Sequence, residues 1–121
     1  MALVSIVTPA YDRAGFLGPL LENLRAQVFG GWEWLVVDDG SRDETPGVLA
    51  RLAAGEPRLS FWRQENRGPG AARNLALRHA RGAFIAFLDS ADAWAPPKLA
   101  RQLAVLEADP ALDFCYTLDV E

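Results

Sequence analysis

The sequence predicts an α/β domain: a mostly parallel sheet in strand order 3-2-1-4 with helices on both faces. Three observations lead there. Short apolar runs alternate with segments whose apolar residues recur every three or four positions, a βαβ rhythm. The connections are short, and right-handed crossovers leave few topologies open. Four predicted strands close on loops built from Asp, Gly, Ser, Asn and Pro. Open α/β sheets bind ligands at that edge, beside the point where the strand order reverses, which here falls between strands 1 and 4.

Residues 3–8 are apolar and β-branched and form strand 1. Pro9 has no amide proton and is expected to end its pairing. After a loop at 9–15, Leu17, Leu20, Leu21, Leu24 and Val28 mark an amphipathic helix that Gly30-Gly31 stops. Residues 32–37 are strand 2, closing on Asp38-Asp39-Gly40-Ser41. Ser41-x-x-Glu44 has the form of a capping box, and Thr45-Pro46 offers a second helix start ahead of Val48, Leu49 and Leu52. Residues 58–63 alternate with more polar positions and are strand 3, nearer an edge. The glycine-rich loop 65–70 precedes a helix at 71–80 carrying Leu75 and Leu77, with Gly82 as its stop. The apolar run 83–88 reads as strand 4, buried on both faces, and it ends at Asp89 with Asp92 and Trp94 just beyond. Pro96-Pro97 opens a helix bearing Leu99, Leu103 and Leu106, and residues 112–118 read as strand 5.

With 121 residues the chain is long enough for one core and one domain. Its longest apolar run is far short of the roughly 20 residues that span a bilayer, so no transmembrane segment is expected. Cys115 stands alone, which excludes an internal disulfide and points to a reducing cytoplasm. The net charge of −4 gives no support to nucleic-acid binding. Charge is unevenly spread: Arg63, Arg67, Arg73, Arg78, His79 and Arg81 face one acid, Glu65, while residues 38–44 are acidic. Most of these are expected to be solvated surface, with Arg78, His79 and Arg81 favoured near a helix C-terminus.

Each loop alone is ordinary turn chemistry; their convergence on one sheet edge is what points to a site. Gly68-Pro69-Gly70 opens a helix whose free amide protons attract anions. Arg73, one turn on, can add a charge-assisted contact to a phosphate or base carbonyl. Tyr11 can stack on a flat ring, and Asp39 can accept from an imide N–H such as that of uracil. Asp89 and Asp92 can bind a hard divalent cation that neutralises a diphosphate. These are the parts needed to hold a nucleoside diphosphate. A dinucleotide fold is disfavoured: its glycine fingerprint should follow strand 1, whereas Gly68-Pro-Gly70 follows strand 3 and Arg73 stands in place of the third glycine.

Four segments, Val4-Ser-Ile-Val-Thr-Pro-Ala-Tyr-Asp-Arg13, Trp34-Leu-Val-Val-Asp-Asp-Gly-Ser-Arg-Asp43, Asn66-Arg-Gly-Pro-Gly-Ala-Ala-Arg-Asn74 and Phe87-Leu-Asp-Ser-Ala-Asp-Ala-Trp94, resemble the serial motifs of family 2 glycosyltransferases with the GT-A fold. The resemblance covers essentially the whole chain. It implies inverting transfer of a sugar from a UDP- or dTDP-linked donor to an acceptor hydroxyl. It implies that Pro9 and Tyr11 flank the base, that Asp39 reads its imide, that Arg73 contacts base or diphosphate, and that Asp89 faces the ribose and metal region. It also implies a divalent metal, manganese or magnesium. The chain departs from the motif at Ala91, where the family has the metal-ligating aspartate, and at Asp12, where asparagine is common. Family members are normally longer, so residues 1–121 are expected to be the N-terminal nucleotide-sugar-binding domain of a longer transferase. No catalytic base is assigned among them. The alternative is an inactive module that holds a nucleotide or a partner. Self-association through an exposed sheet edge is a further expectation.

Overall fold

The computed structural model of the chain describes residues 3–90 and 92–109. The predicted strand 5 lies outside the described residues, as does Cys115. The strands are β1 (Val4–Ala10), β2 (Trp32–Asp38), β3 (Leu59–Arg63) and β4 (Phe84–Phe87). The helices are α1 (Ala14–Arg25), α2 (Thr45–Ala54), α3 (Pro69–Arg78) and α4 (Lys98–Ala108). The strands form one sheet in the order β3-β2-β1-β4 with every pairing parallel.

The central strands are the most apolar, and β2 is buried along its whole length. On one face Val4, Ile6, Trp32, Trp34 and Val36 pack against the leucines of α1, α2 and α4. On the other, Val7, Leu35 and Val37 meet Ala72 and Ala76 of α3. Here the prediction shifts. Leu77, one of the two leucines that the predicted helix carries, is exposed, and alanines make the contact because they let the helix come close to the sheet.

Strand 4 departs from expectation in a more consequential way. Phe84 and Ala86 pack on the main core, but Ile85 and Phe87 are 41% and 56% exposed. They lie level with Ser5 and Val7, on the face that α3 covers. α3 packs chiefly over β1 and β2, which leaves these two side chains of β4 largely uncovered. β1 also runs two residues past its predicted end. Ala10 O accepts from Asp39 N–H (2.8 Å) toward β2, and Val7 O accepts from Leu88 N–H (3.0 Å) toward β4. By alternation Pro9 faces the β4 side, beyond the last β4 pair, where no ladder bond needs its missing N–H.

α1 stops at Arg25, before Val28, which is 73% exposed. Gln27 takes the buried place instead. Its Nε2 donates to Ala95 O (2.9 Å), its Oε1 accepts from Leu99 N–H (3.3 Å), and Val28 N–H donates to Pro96 O (2.9 Å). These bonds to the segment before α4 replace the next helical turn.

Two buried carboxylates lock the opposite edge of the sheet. Glu33 accepts from Ser5 Oγ (2.6 Å), Arg81 N–H (2.8 Å) and Arg81 Nε (3.0 Å). Gly82 N–H donates to Ser5 Oγ (2.8 Å). A Cβ on Gly82 would lie 2.6 Å from Leu3 O and 2.7 Å from Ser5 N. Glu56 is held by Arg25 Nε (3.0 Å) and Arg58 Nε (2.9 Å), and the Arg58 guanidinium stacks 3.7 Å from the centre of the Trp32 ring.

Candidate functional site

The loops after β1, β2, β3 and β4 meet at the carboxyl edge of the sheet, and side-chain bonds tie the first two together. Asp12, at φ 50°, occupies the left-handed region that Asp and Asn tolerate better than most residues. Its Oδ1 accepts from Arg42 N–H (2.8 Å), and its own N–H donates to Ser41 Oγ (2.9 Å). The first amides of α1 find their partners in the same place. Arg13 N–H donates to Thr45 Oγ1 (3.0 Å) and Ala14 N–H to Asp43 Oδ2 (3.3 Å). Asp43 also accepts from Thr45 Oγ1 (2.5 Å) and Thr45 N–H (2.9 Å). The Thr45 hydroxyl bond, opposed by burial and joined by the backbone amides, holds Asp43 below the usual carboxylate range.

The predicted capping box at Ser41 does not form: α2 begins at Thr45, with Pro46 in its first turn. The Ser41 hydroxyl is turned to Asp38 instead, donating to Oδ1, while Asp38 Oδ2 accepts from Arg63 Nη1 (2.7 Å). Asp38 is 1% exposed, and this set pins the second loop to β3. Arg63 and Arg81, expected as solvated surface, are thus each bound to a buried acid.

Asp39 joins the second loop to the third. Its Oδ1 accepts from Gln64 Nε2 (2.8 Å) and Arg67 N–H (2.8 Å), and its Oδ2 accepts from Gly68 N–H (2.9 Å). Burial pushes this carboxyl up, but the three N–H groups outweigh it and hold it below the ordinary value. Gly40 sits at φ 78°, and a Cβ there would stand 2.9 Å from Asn66 N. Only glycine combines that backbone with so close an approach of the third loop.

Between these loops lies an open groove of about 410 Å³. Pro9, Tyr11, Asp39, Arg73 and Asp89, all singled out from the sequence, line it together with Ala10, Asp12, Arg13, Pro69 and Ser90. Asp92 does not; it lies exposed, its N–H donating to Asp89 O (3.0 Å) across a turn. Arg73 is half-buried, forms no salt bridge among the described residues, and stands just past the start of α3. That helix start has no side-chain cap and no acid in its first turn, so its leading amides lack intrahelical partners. Gln64, and Asp12 as a clamp between loops, are not legible in the sequence. A lone Gln at a strand end carries no signal of its own, and nothing local to Asp12 reveals that its partners lie 30 residues away.

A Rossmann-like sheet of this order, with a groove at its switch point, is the nucleotide-binding architecture of the GT-A glycosyltransferases. Comparison with known proteins bears this out. A mannosyltransferase from Pyrobaculum calidifontis, solved in complex with GDP-Man and Mn2+, superposes with a TM-score of 0.84 at 33% identity, over 92% of this chain and 34% of that one. S. aureus TarS 1-349 in complex with UDP-GlcNAc gives a TM-score of 0.78 at 31% identity, over 87% of this chain and 31% of that one. A putative teichuronic acid biosynthesis glycosyltransferase, TuaG of Bacillus subtilis, is 36% identical over 114 residues, 93% of this chain and 45% of the relative. The Glycosyl transferase family 2 profile matches residues 5–121, and the chain belongs to that family. It spans less than half the length of these relatives. Among the described residues no helix is long and apolar enough to cross a membrane.

Proposed function

We propose that the groove holds the nucleoside diphosphate of an activated sugar, and that residues 1–121 are the donor-binding domain of an inverting glycosyltransferase acting on an acceptor hydroxyl. The observation that supports this is the convergence of Pro9, Tyr11, Asp39, Arg73 and Asp89 on one groove. In this reading Pro9 and Tyr11 flank a planar base and Asp39 accepts its imide N–H. Arg73 and the free amides of α3 meet the diphosphate. Asp89, on the β4 side, faces the ribose. The donor is a UDP- or dTDP-linked sugar.

The residues present fit a divalent ion poorly. Such ions take six or so oxygen ligands. Asp89 is the groove-lining carboxylate on the β4 side, Asp92 is outside the lining, and Asp39 is largely taken by three N–H groups. No three His, Cys, Asp or Glu side chains gather as ligands among the described residues. Position 91 adds only a methyl. The diphosphate charge therefore falls chiefly to Arg73 and the α3 terminus. Calorimetry with UDP tests this: weak binding that manganese barely changes is expected. Arg73→Ala should weaken it about tenfold, the worth of one charge-assisted contact. Ala91→Asp should make binding respond to manganese. Tight, manganese-dependent binding by the unaltered chain would overturn the metal reading.

The same thin ligand set favours a second reading, a nucleotide-holding module without transfer activity. A reading frame that continues into a carboxylate-bearing acceptor domain, with sugar transfer by the longer protein, decides for the enzyme. No transfer is expected from these 121 residues alone.

A further inference from the structure

An ionised carboxylate offers four acceptor positions, two on each oxygen. On Asp39, Oδ1 is filled by Gln64 Nε2 and Arg67 N–H, and Oδ2 keeps one position beside Gly68 N–H. Asp39 is 5% exposed and forms part of the groove wall, so a base arriving there finds a single acceptor. Uracil and thymine present one N–H at this edge, the imide N3–H. Guanine presents N1–H and N2–H side by side and calls for one acceptor on each oxygen. Cytosine presents a lone pair at N3, which a carboxylate repels.

Two of the three groups on Asp39 are backbone amides, fixed by the turn at Gly68 (φ 95°) into α3. Gln64 supplies the third from a side chain. Its own N–H donates to Asp38 O (3.0 Å), so strand pairing sets it beside Asp39 whatever its side chain. We propose that Gln64 is a specificity-determining residue. By filling Oδ1 next to the Arg67 amide, it suits the groove to the single imide N–H of a uridine or thymidine diphosphate and sets it against the paired N–H groups of guanosine diphosphate. This rests on the nucleotide reading of the groove. The fold itself does not fix the base, since one solved relative holds GDP-Man and another UDP-GlcNAc.

The test is calorimetric titration of the 121-residue chain, unaltered and as Gln64→Met, with UDP, dTDP, CDP and GDP. Methionine keeps the length of glutamine and removes the N–H. The unaltered chain should bind UDP and dTDP alike, and GDP and CDP at least about tenfold more weakly, because a polar site left mispaired discriminates by that much or more. Gln64→Met should bring GDP to within about threefold of UDP while CDP stays weak, the freed oxygen now accepting the second guanine N–H. The readout is a ratio measured on one sample, so partial loss of folding moves both affinities together. GDP binding as well as UDP to the unaltered chain, or an unchanged ratio in Gln64→Met, overturns the role of Gln64 and leaves the groove a nucleotide site. Binding of none of the four overturns the nucleotide reading and this inference with it.

Discussion

Replacing Asp39 by asparagine keeps its shape and removes its charge. Three N–H groups converge on the carboxylate at 2.8 to 2.9 Å, and a carboxamide has one oxygen with two acceptor positions. In its better orientation the oxygen keeps Gln64 and Arg67, and the new NH2 then opposes Gly68 N–H. One donor is left unpaired in a site 5% exposed, and two charge-assisted bonds become neutral ones. An unpaired buried donor costs about 1–3 kcal/mol, so Asp39→Asn should destabilise the domain by about 2 kcal/mol, or roughly 6–10 °C in Tm for a chain of this size. The pH dependence gives an independent check. The folded-state pKa of Asp39 lies below its ordinary 3.8, so its contribution is complete above that value and is lost as pH falls through the lower, folded one. Urea denaturation at pH 7 and again well below pH 3.8 should show a gap between the two proteins that closes on acidification. A gap under about 0.5 kcal/mol at pH 7, within the range of neutral surface changes, or one equal at both pH values, would refute the argument.

Two further outcomes follow from the opposite edge of the sheet. Hydrogen bonds from Arg58, opposed by burial and joined by Arg25, hold Glu56 down to about 2 from 4.5. Its stabilisation is complete above about 4.5 and lost toward pH 2, so Glu56→Gln should cost about 2 kcal/mol at neutral pH, after discounting for the partly exposed guanidiniums, and little at pH 2 by chemical denaturation. Gly82→Ala places a methyl 2.6 Å from Leu3 O and 2.7 Å from Ser5 Oγ. It should cost about 3 kcal/mol by thermal melting, and Ser5→Ala should not rescue it, because the Leu3 carbonyl remains in the way.

Much of this was legible because β1 and β2 are nearly pure apolar runs, and right-handed crossovers then leave the order 3-2-1-4 almost forced. Pro9, Tyr11, Asp39, Arg73 and Asp89 could be placed on one edge because each stands at or just after a strand end. What was not legible depends on distances across the sheet. The run at 83–88 is uniformly apolar, and its composition does not say that α3 lies too far over to cover Ile85 and Phe87. Arg63 and Arg81 look like surface charge until Asp38 and Glu33 are found beneath them. Ser41 and Glu44 have the spacing of a cap, but Asp38 competes for the serine hydroxyl and wins by proximity. Gln64 acquires meaning only from the carboxylate opposite it.

α1 has no side-chain cap of its own: its opening amides are met by Asp43, just before α2, and by Thr45, the first residue of α2. The first two βα units are therefore not interchangeable parts. A recombination that imports β1 and α1 from a distant relative leaves α1 without its terminal partners unless the segment 41–45 travels with it. Covariation in such chimeras is expected to tie Asp12 and Arg13 to that segment, across a sequence gap of about thirty residues, more tightly than to their own helix.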